Sequence, residues 1–323
     1  MRSDEQKTLW EREVIENVLM ASLLEQRKAR RWSLAYRLLS LLIVTGTVLY
    51  LVSLNDFDQS AKGSGEPHTA VVDVFGMIME DAPANANTIE DGLLDAVEDK
   101  ETRGILLRMN SPGGSPVQSA YIYEAIRKLK SRHPELPVVA VVSDLCASGC
   151  YYAASAADKI YAHPTSVVGS IGVIMNGFGF VGTLEKLGVE RRTLTAGAHK
   201  ALLDPFAPTQ PAEQAHVQGL INSVHQDFIA AVRQGRGDRL KEIPDMFSGL
   251  VWTGRQAKEL GLIDDFGDER SVAEDIIGAK ERINYTPREK FWEKLGSRMG
   301  TQMGSALFRH LEESGAMPGG ALR

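Results

Sequence analysis

The chain predicts an α/β domain with a largely parallel sheet, carried behind one membrane-spanning helix. Three observations predict it. Short β-branched or apolar runs recur at residues 70–75, 104–109, 138–142, 159–162, 167–174 and 191–194. Stretches of helical periodicity separate several of them, and strand–helix alternation of this kind builds parallel sheets. Well before these runs, residues 38–54 (LLSLLIVTGTVLYLVSL) carry no charged side chain.

Taken in order, the elements begin with residues 1–31. Leu9, Val14, Ile15, Val18, Leu19 and Leu23 fall at helical spacing with charges between them. That pattern is an amphipathic helix, suited either to the inner membrane surface or to pairing with a copy of itself. With 32–37 as an interfacial lead-in, the apolar segment spans 32–54 and reaches the roughly 20 residues a bilayer crossing requires. It lies too far from the N-terminus, and is too long, for a cleaved signal peptide. Arg27, Lys28, Arg30 and Arg31 precede it and Asp56 and Asp58 follow. The positive-inside rule then places 1–31 in the cytoplasm and the chain after about residue 55 on the periplasmic or extracytoplasmic face of a bacterial inner membrane. Residues 55–67, rich in Ser, Gly and Asp, read as a linker.

The folded domain is expected over 68–280. Within it, Ile89, Leu93, Leu94 and Val97 give a helix over 88–98, and Val117, Ile122, Ala125, Ile126 and Leu129 give another over 117–129. Past about Arg282 the pattern weakens, so 281–323 is expected to be an extension whose last residues, 315–323, form a flexible tail. A net charge of −6 argues against nucleic acid as a partner of the main body.

Four stretches can carry chemistry. At Val138–Ala154 a buried strand, a tight turn and a small-residue helix would lift Ser148 to the carboxyl edge of the sheet; such a serine is either a helix N-cap or a nucleophile. Arg108-Met-Asn-Ser-Pro-Gly-Gly-Ser115 puts Gly113 and Gly114 at a strand-to-helix junction, where bare backbone N–H groups either close a plain turn or hold an oxyanion. In Val167-Val-Gly-Ser-Ile-Gly-Val-Ile174, Ser170 between two glycines is by itself a structural residue. Finally, Lys200 sits among apolar and small residues in 195–206. A lysine is ordinarily a solvated charge, but one drawn into an apolar pocket gives up its proton more readily and can act as a base. Asp204 could instead pair with it and hold it charged. His199 adjoins Lys200; on a strand the two would face opposite sides, so only one of them could address Ser148. His163 and His216 have no supporting context.

Cys146 and Cys150 are the chain's two cysteines. Their spacing suits no structural zinc site and two cysteines make no disulfide framework. They read as two small buried residues, with a redox-sensitive pair beside Ser148 as the alternative.

In family order, the NSPGG segment, the ASG serine, the VVGSIGVI segment, the lysine followed by Pro205-Phe206 and the later Val251-Trp-Thr-Gly-Arg-Gln-Ala-Lys-Glu-Leu-Gly-Leu-Ile-Asp264 resemble the signal peptide peptidase A (SppA) family over roughly 68–280. That resemblance implies a ClpP/crotonase-like fold and a membrane-anchored serine endopeptidase with a Ser–Lys dyad. It makes Ser148 the nucleophile, Lys200 the general base and Ser170 the residue orienting the lysine. The backbone N–H of Gly149, with that of Gly113 or Gly114, becomes the oxyanion hole. It implies no cofactor or metal, peptide substrates such as remnant signal peptides, and, since only one copy of the domain is present, a homo-oligomer. The chain departs from the family in placing Cys146 and Cys150 where small residues are expected. Two other readings remain open: a crotonase-like acyl-CoA enzyme using the oxyanion hole without a nucleophile, and a non-catalytic membrane scaffold.

Overall fold

The computed structural model describes Met20, Lys28, residues 30–47, Tyr50 and residues 65–287. The chain divides into two compact units, one of residues 63–289 and the other of residues 1–62 with 290–323. In the second, residues 30–47 are helical. Leu34, Leu38, Leu39, Leu41, Leu42, Ile43 and Val44 of this helix are exposed. The hydroxyls of Ser40 and Thr47 donate back to the carbonyls of Arg37 and Ile43 at 2.9 and 2.8 Å, leaving those two donors satisfied without water. Among the described residues no helix is long and apolar enough to cross a membrane. The predicted span 32–54 runs past them at 48–49 and 51–54, and most of the predicted amphipathic segment 1–31, most of the linker and the tail also lie outside them.

The larger unit is a mixed α/β domain. Its strands are β1 (His68–Phe75), β2 (Thr102–Ser111), β3 (Val138–Ala147), β4 (Lys159–Ala162), β5 (Val167–Gly169), β6 (Val251–Thr253), β7 (Asp265–Phe266) and β8 (Glu281–Asn284). Its main helices are α1 (Ala86–Glu98), α2 (Pro116–Arg132), α3 (Gly149–Ala154), α4 (Val181–Leu187), α5 (Pro211–Arg236) and α6 (Gly254–Glu259). The sheet runs β6-β5-β3-β2-β1-β8, and β4 pairs with β3 and β7. All pairs are parallel except β5 with β6.

Strands β1 to β3 are apolar on both faces, as a sheet covered on both sides demands. Val72, Val74, Ile105, Leu107, Met109, Val138, Ala140 and Val142 pack with Ile89, Leu93, Ile122, Ile126 and Val232 from the helices. Val71, Leu106, Val139 and Val141 point the other way and form a smaller cluster with Tyr161 and Val272. The N-cap of α1 is Asn85, whose side chain accepts from Thr88 N at 2.9 Å, and Ser115 with Pro116 opens α2.

The feature that positions the site is the division of β3. Residues 139–142 pair with β4, while Leu145–Ala147 leave it and pair with β5 on the same side. The last residues of β3 therefore run clear of β4 and end between β2 and β5.

Three sequence expectations change. The run 167–174 is a strand only to Gly169, because Ser170 turns to φ 51° and its N–H donates to Leu250 O at 2.7 Å instead of extending the ladder. Residues 191–194 form no strand and lie in an exposed arm. Conversely, Glu281–Asn284, beyond the predicted strands, adds β8 to the free edge of β1.

Candidate active site

Ser148 follows the last residue of β3 and precedes the first residue of α3. Its backbone has φ 55° and ψ −126°, a region an L-residue with a Cβ avoids at a cost of about 1–3 kcal/mol. The conformation is held from both sides: Ser148 N donates to Gly169 O at 2.8 Å, and Tyr152 N donates to Ser148 O at 3.0 Å. The serine hydroxyl makes no capping hydrogen bond to the helix it precedes. The N-cap reading is thereby set aside, and a half-buried serine stands on a strained turn.

Two glycines let other backbone reach that turn. A Cβ on Gly149 would stand 2.2 Å from Ser119 Oγ. A Cβ on Gly113, at φ 91°, would stand 2.8 Å from Ser148 Cβ and 2.6 Å from Gly149 N. No side chain fits at either position.

Hydrogen bonding separates the candidate oxyanion donors. Gly113 N donates to Ser111 Oγ at 3.1 Å and is occupied. Ile78 N donates to Gly113 O at 3.0 Å and Ser115 N to Ile78 O at 2.8 Å. In extended chain those two bonds leave the N–H of the intervening Gly114 directed to the opposite edge. The Gly114 nitrogen lies 3.3 Å from where a Gly149 Cβ would stand. Among the described residues neither Gly114 N–H nor Gly149 N–H has a hydrogen-bond partner. Two free donors thus flank the serine, which is the arrangement an oxyanion needs.

Ser170 joins the same neighbourhood through Gly169: Ser148 bonds the carbonyl of Gly169, and Ser170 is its successor at positive φ. Lys200 does not join it within this chain. It lies in a turn of the exposed arm, its N–H donating to Gly197 O at 3.2 Å. No hydrogen bond or ion pair links it to Ser148 or Ser170 among the described residues. Asp204, weighed as its partner, is taken by Arg191, with contacts of 2.6 and 2.8 Å. The N–H of Phe206 and the Arg191 guanidinium hold the Asp204 carboxyl below its usual range. Nor is the argument from strand alternation applicable to His199, since 198–203 are turns; its Nδ1 lies 3.4 Å from Glu213 Oε1 and offers no triad with Ser148.

The arm carrying Lys200 is ordered by its own contacts. Phe180 N donates to Pro205 O at 2.7 Å, and the rings of Phe180 and Phe206 stack at 5.4 Å. Outward it presents apolar side chains: Ile174 and Phe178 are 78% and 81% exposed, and Met175, Leu187 and Val189 are also exposed.

Cys146 and Cys150 are buried, as the sequence suggested, but they are not two separate side chains. A disulfide joins them across Ser148, with Cα atoms 5.1 Å apart.

The model of peptidase family S49 matches residues 130–281, which takes in Ser148, Ser170 and Lys200 but not Gly113 or Gly114. A protein of Methanocaldococcus jannaschii, provisionally designated a protease, is 35% identical over 227 residues, covering 67% of this chain and 72% of that protein. The chain belongs to peptidase family S49. Another family relative, the chloroplastic serine protease SPPA of Arabidopsis thaliana, is 31% identical over 211 residues, or 65% of this chain and 30% of that protein. A protein of Brucella abortus named as the Na(+)/H(+) antiporter NhaA is 42% identical over 223 residues. That alignment covers 68% of this chain but only 30% of the Brucella protein, so the chain spans less than a third of that relative's length.

Proposed function

We propose that the chain is a membrane-anchored serine endopeptidase with a ClpP/crotonase-like domain, in which Ser148 is the nucleophile and Lys200 of a neighbouring copy is the general base. One observation carries the reading: an uncapped serine hydroxyl on a strained turn, bracketed by the unpartnered N–H groups of Gly114 and Gly149. The Lys200 amine takes the Ser148 proton as Oγ attacks the peptide carbonyl. The two N–H groups receive the oxyanion, each worth about 3–4 kcal/mol. The same ammonium then protonates the leaving amine, and water, deprotonated in its turn, releases the acyl group. Ser170, beside Gly169, orients the amine. The family's Gly113 drops out as a donor because Ser111 already holds its N–H.

Supply of the lysine from a second copy is supported by its exposure, its lack of contact with Ser148, and the apolar outer surface of the arm, which a homo-oligomer would cover. Helix 30–47, with its apolar side chains exposed and its hydroxyls bonded internally, supports a bilayer anchor that keeps the domain on the extracytoplasmic face. Peptides left at that surface, such as remnant signal peptides, are the substrate class. The test is hydrolysis of a quenched apolar peptide by the full chain in detergent micelles. Ser148→Ala and Lys200→Ala should each abolish it, and mixed oligomers of the two variants should regain part of it. Undiminished activity in either variant would sink the dyad. Failure to regain activity, with both variants assembled, would return the lysine to its own chain. Covalent capture of Ser148 by a fluorophosphonate separates this reading from acyl-CoA chemistry, which needs no nucleophilic serine.

A further inference from the structure

The bond between Cys146 and Cys150 encloses the proposed nucleophile. We infer that this disulfide is a positioning clamp on the Ser148 turn, so that the peptidase acylates efficiently only in its oxidised form; the inference rests on the serine-peptidase reading above.

Each end of the clamp is anchored differently. Cys146 is the second-last residue of β3 and is paired on both sides, with Ser111 of β2 and Val168 of β5. It is therefore fixed to the sheet. Cys150 is the second residue of α3, a helix of only six residues, far too short to persist without tertiary support. Between them lie Ala147, Ser148 and Gly149, so the link ties the first turn of the helix to the strand end through a three-residue loop centred on the nucleophile. That loop holds Ser148 at a φ of 55°, which its own side chain does nothing to stabilise. It also holds Gly149 N–H, one of the two free donors.

The donors sit on opposite sides of the clamp. Gly114 lies in the β2–α2 junction, whose Gly113 and Ser115 are bonded to Ile78 of the β1–α1 connection, whereas Gly149 lies in the loop that the disulfide closes. Opening the link lets Gly149 N–H and Ser148 Oγ drift together relative to Gly114 N–H. Misplacement on the scale of 1 Å costs about a hundredfold in rate. Both sulfurs are fully buried, so reduction needs local opening of this segment and is slow in the folded protein. The chemistry is ordinary exchange: a dithiol reductant gives up two electrons and two protons and leaves as its cyclic disulfide, and the protein gains two thiols. The return needs a disulfide oxidant such as oxidised glutathione.

The experiment uses the full chain in detergent micelles. Intact mass after alkylation in denaturant counts the free thiols before and after dithiothreitol, and the Cys146→Ala/Cys150→Ala double variant provides a permanently open form should reduction remain incomplete. Three quantities are read on each form: the rate of Ser148 capture by a fluorophosphonate, KM for the quenched peptide, and amide exchange across residues 143–155. The open forms should acylate roughly tenfold to a hundredfold more slowly with KM changed by less than about twofold. Exchange should rise in 143–155 and nowhere else, and oxidised glutathione should restore the wild type but not the double variant. Two free thiols in untreated protein, or equal acylation in open and closed forms, would overturn the clamp. So would a rise in exchange across the whole of 65–287, which would assign the link to general stability. If the oxidised protein neither cleaves peptide nor captures the probe, the peptidase reading falls and amide exchange alone judges the clamp.

Discussion

Replacing Gly149 by alanine tests the packing on which the proposed oxyanion hole depends. The new Cβ would stand 2.2 Å from Ser119 Oγ, roughly 1.2 Å short of ordinary contact, with the Gly114 nitrogen 3.3 Å away. Ser119 has little room to retreat: it is fully buried, and its hydroxyl donates to Ser115 O at 2.8 Å. The start of α3 must move instead, carrying Gly149 N–H with it. Overpacking of this size costs about 1–3 kcal/mol of stability. Loss of one oxyanion donor costs about 10²–10³ in kcat. In Ser119→Ala the nearest atom recedes to the Cβ, 3.2 Å from the new methyl group, so the double variant should recover most of the stability and part of the rate. The assays are thermal unfolding by circular dichroism and single-turnover capture of Ser148 by a fluorophosphonate. Retention by Gly149→Ala of both wild-type melting and capture within about threefold would refute the close approach of α2 to the nucleophile turn.

Other outcomes follow from the same structure. Ser148→Gly should abolish hydrolysis yet raise the melting temperature, because glycine adopts φ 55° without the strain of about 1–3 kcal/mol; an unchanged or lower melting point would mean the turn is not strained. Asp264→Ala should destabilise the domain by about 3–5 kcal/mol in urea titration, since it strips the fully buried Arg236 of its carboxylate partner at 2.8 Å. Burial pushes the Asp264 carboxyl up, but its bonds to Arg236 and Ile160 N and the nearby Arg239 bring it below the usual range. The stability from this group is thus fully present above the ordinary carboxylate pKa and is lost as pH falls through the depressed one. Acid unfolding of the wild type should be correspondingly steeper than that of Asp264→Asn between about pH 4 and 2. Removing the arm's internal tie by Arg191→Ala should loosen 174–206 and dissociate the proposed homo-oligomer, lowering the apparent mass in light scattering; an unchanged mass would separate the arm from assembly.

Much of the fold around the candidate site was legible in the chain. The β-branched runs of β1 to β4 recur locally and need no partner to be recognised, and the helix periods of α1 and α2 were equally plain. Ser148, Gly113, Gly114 and Gly149 stood out by their strand-to-helix junctions, but each alone was equally an N-cap or a plain turn, and only their order along the chain, through the resemblance it carries, gave them roles. β8 could not be: Glu281-Arg-Ile-Asn284 has a single apolar residue and becomes a strand only because β1 leaves an edge free. Residues 191–194 failed for the opposite reason, since their strand-like run meets no neighbouring edge.

What the sequence determined by itself is whatever local periodicity and backbone freedom encode: the alternation of strands and helices, the glycine-lined turns, and the serine at the end of β3. What only the tertiary structure decided depends on contacts between residues far apart or on the angle between adjacent elements. Ser111, not sequence position, occupies the Gly113 N–H, while that of Gly114 has no partner among the described residues. Arg191 claims the carboxylate that Lys200 could have used, and the arm carries that lysine away from Ser148. The turn itself brings Cys146 and Cys150 within bonding distance, because the end of β3 and the start of α3 meet at the positive φ of Ser148 with the two Cα atoms 5.1 Å apart.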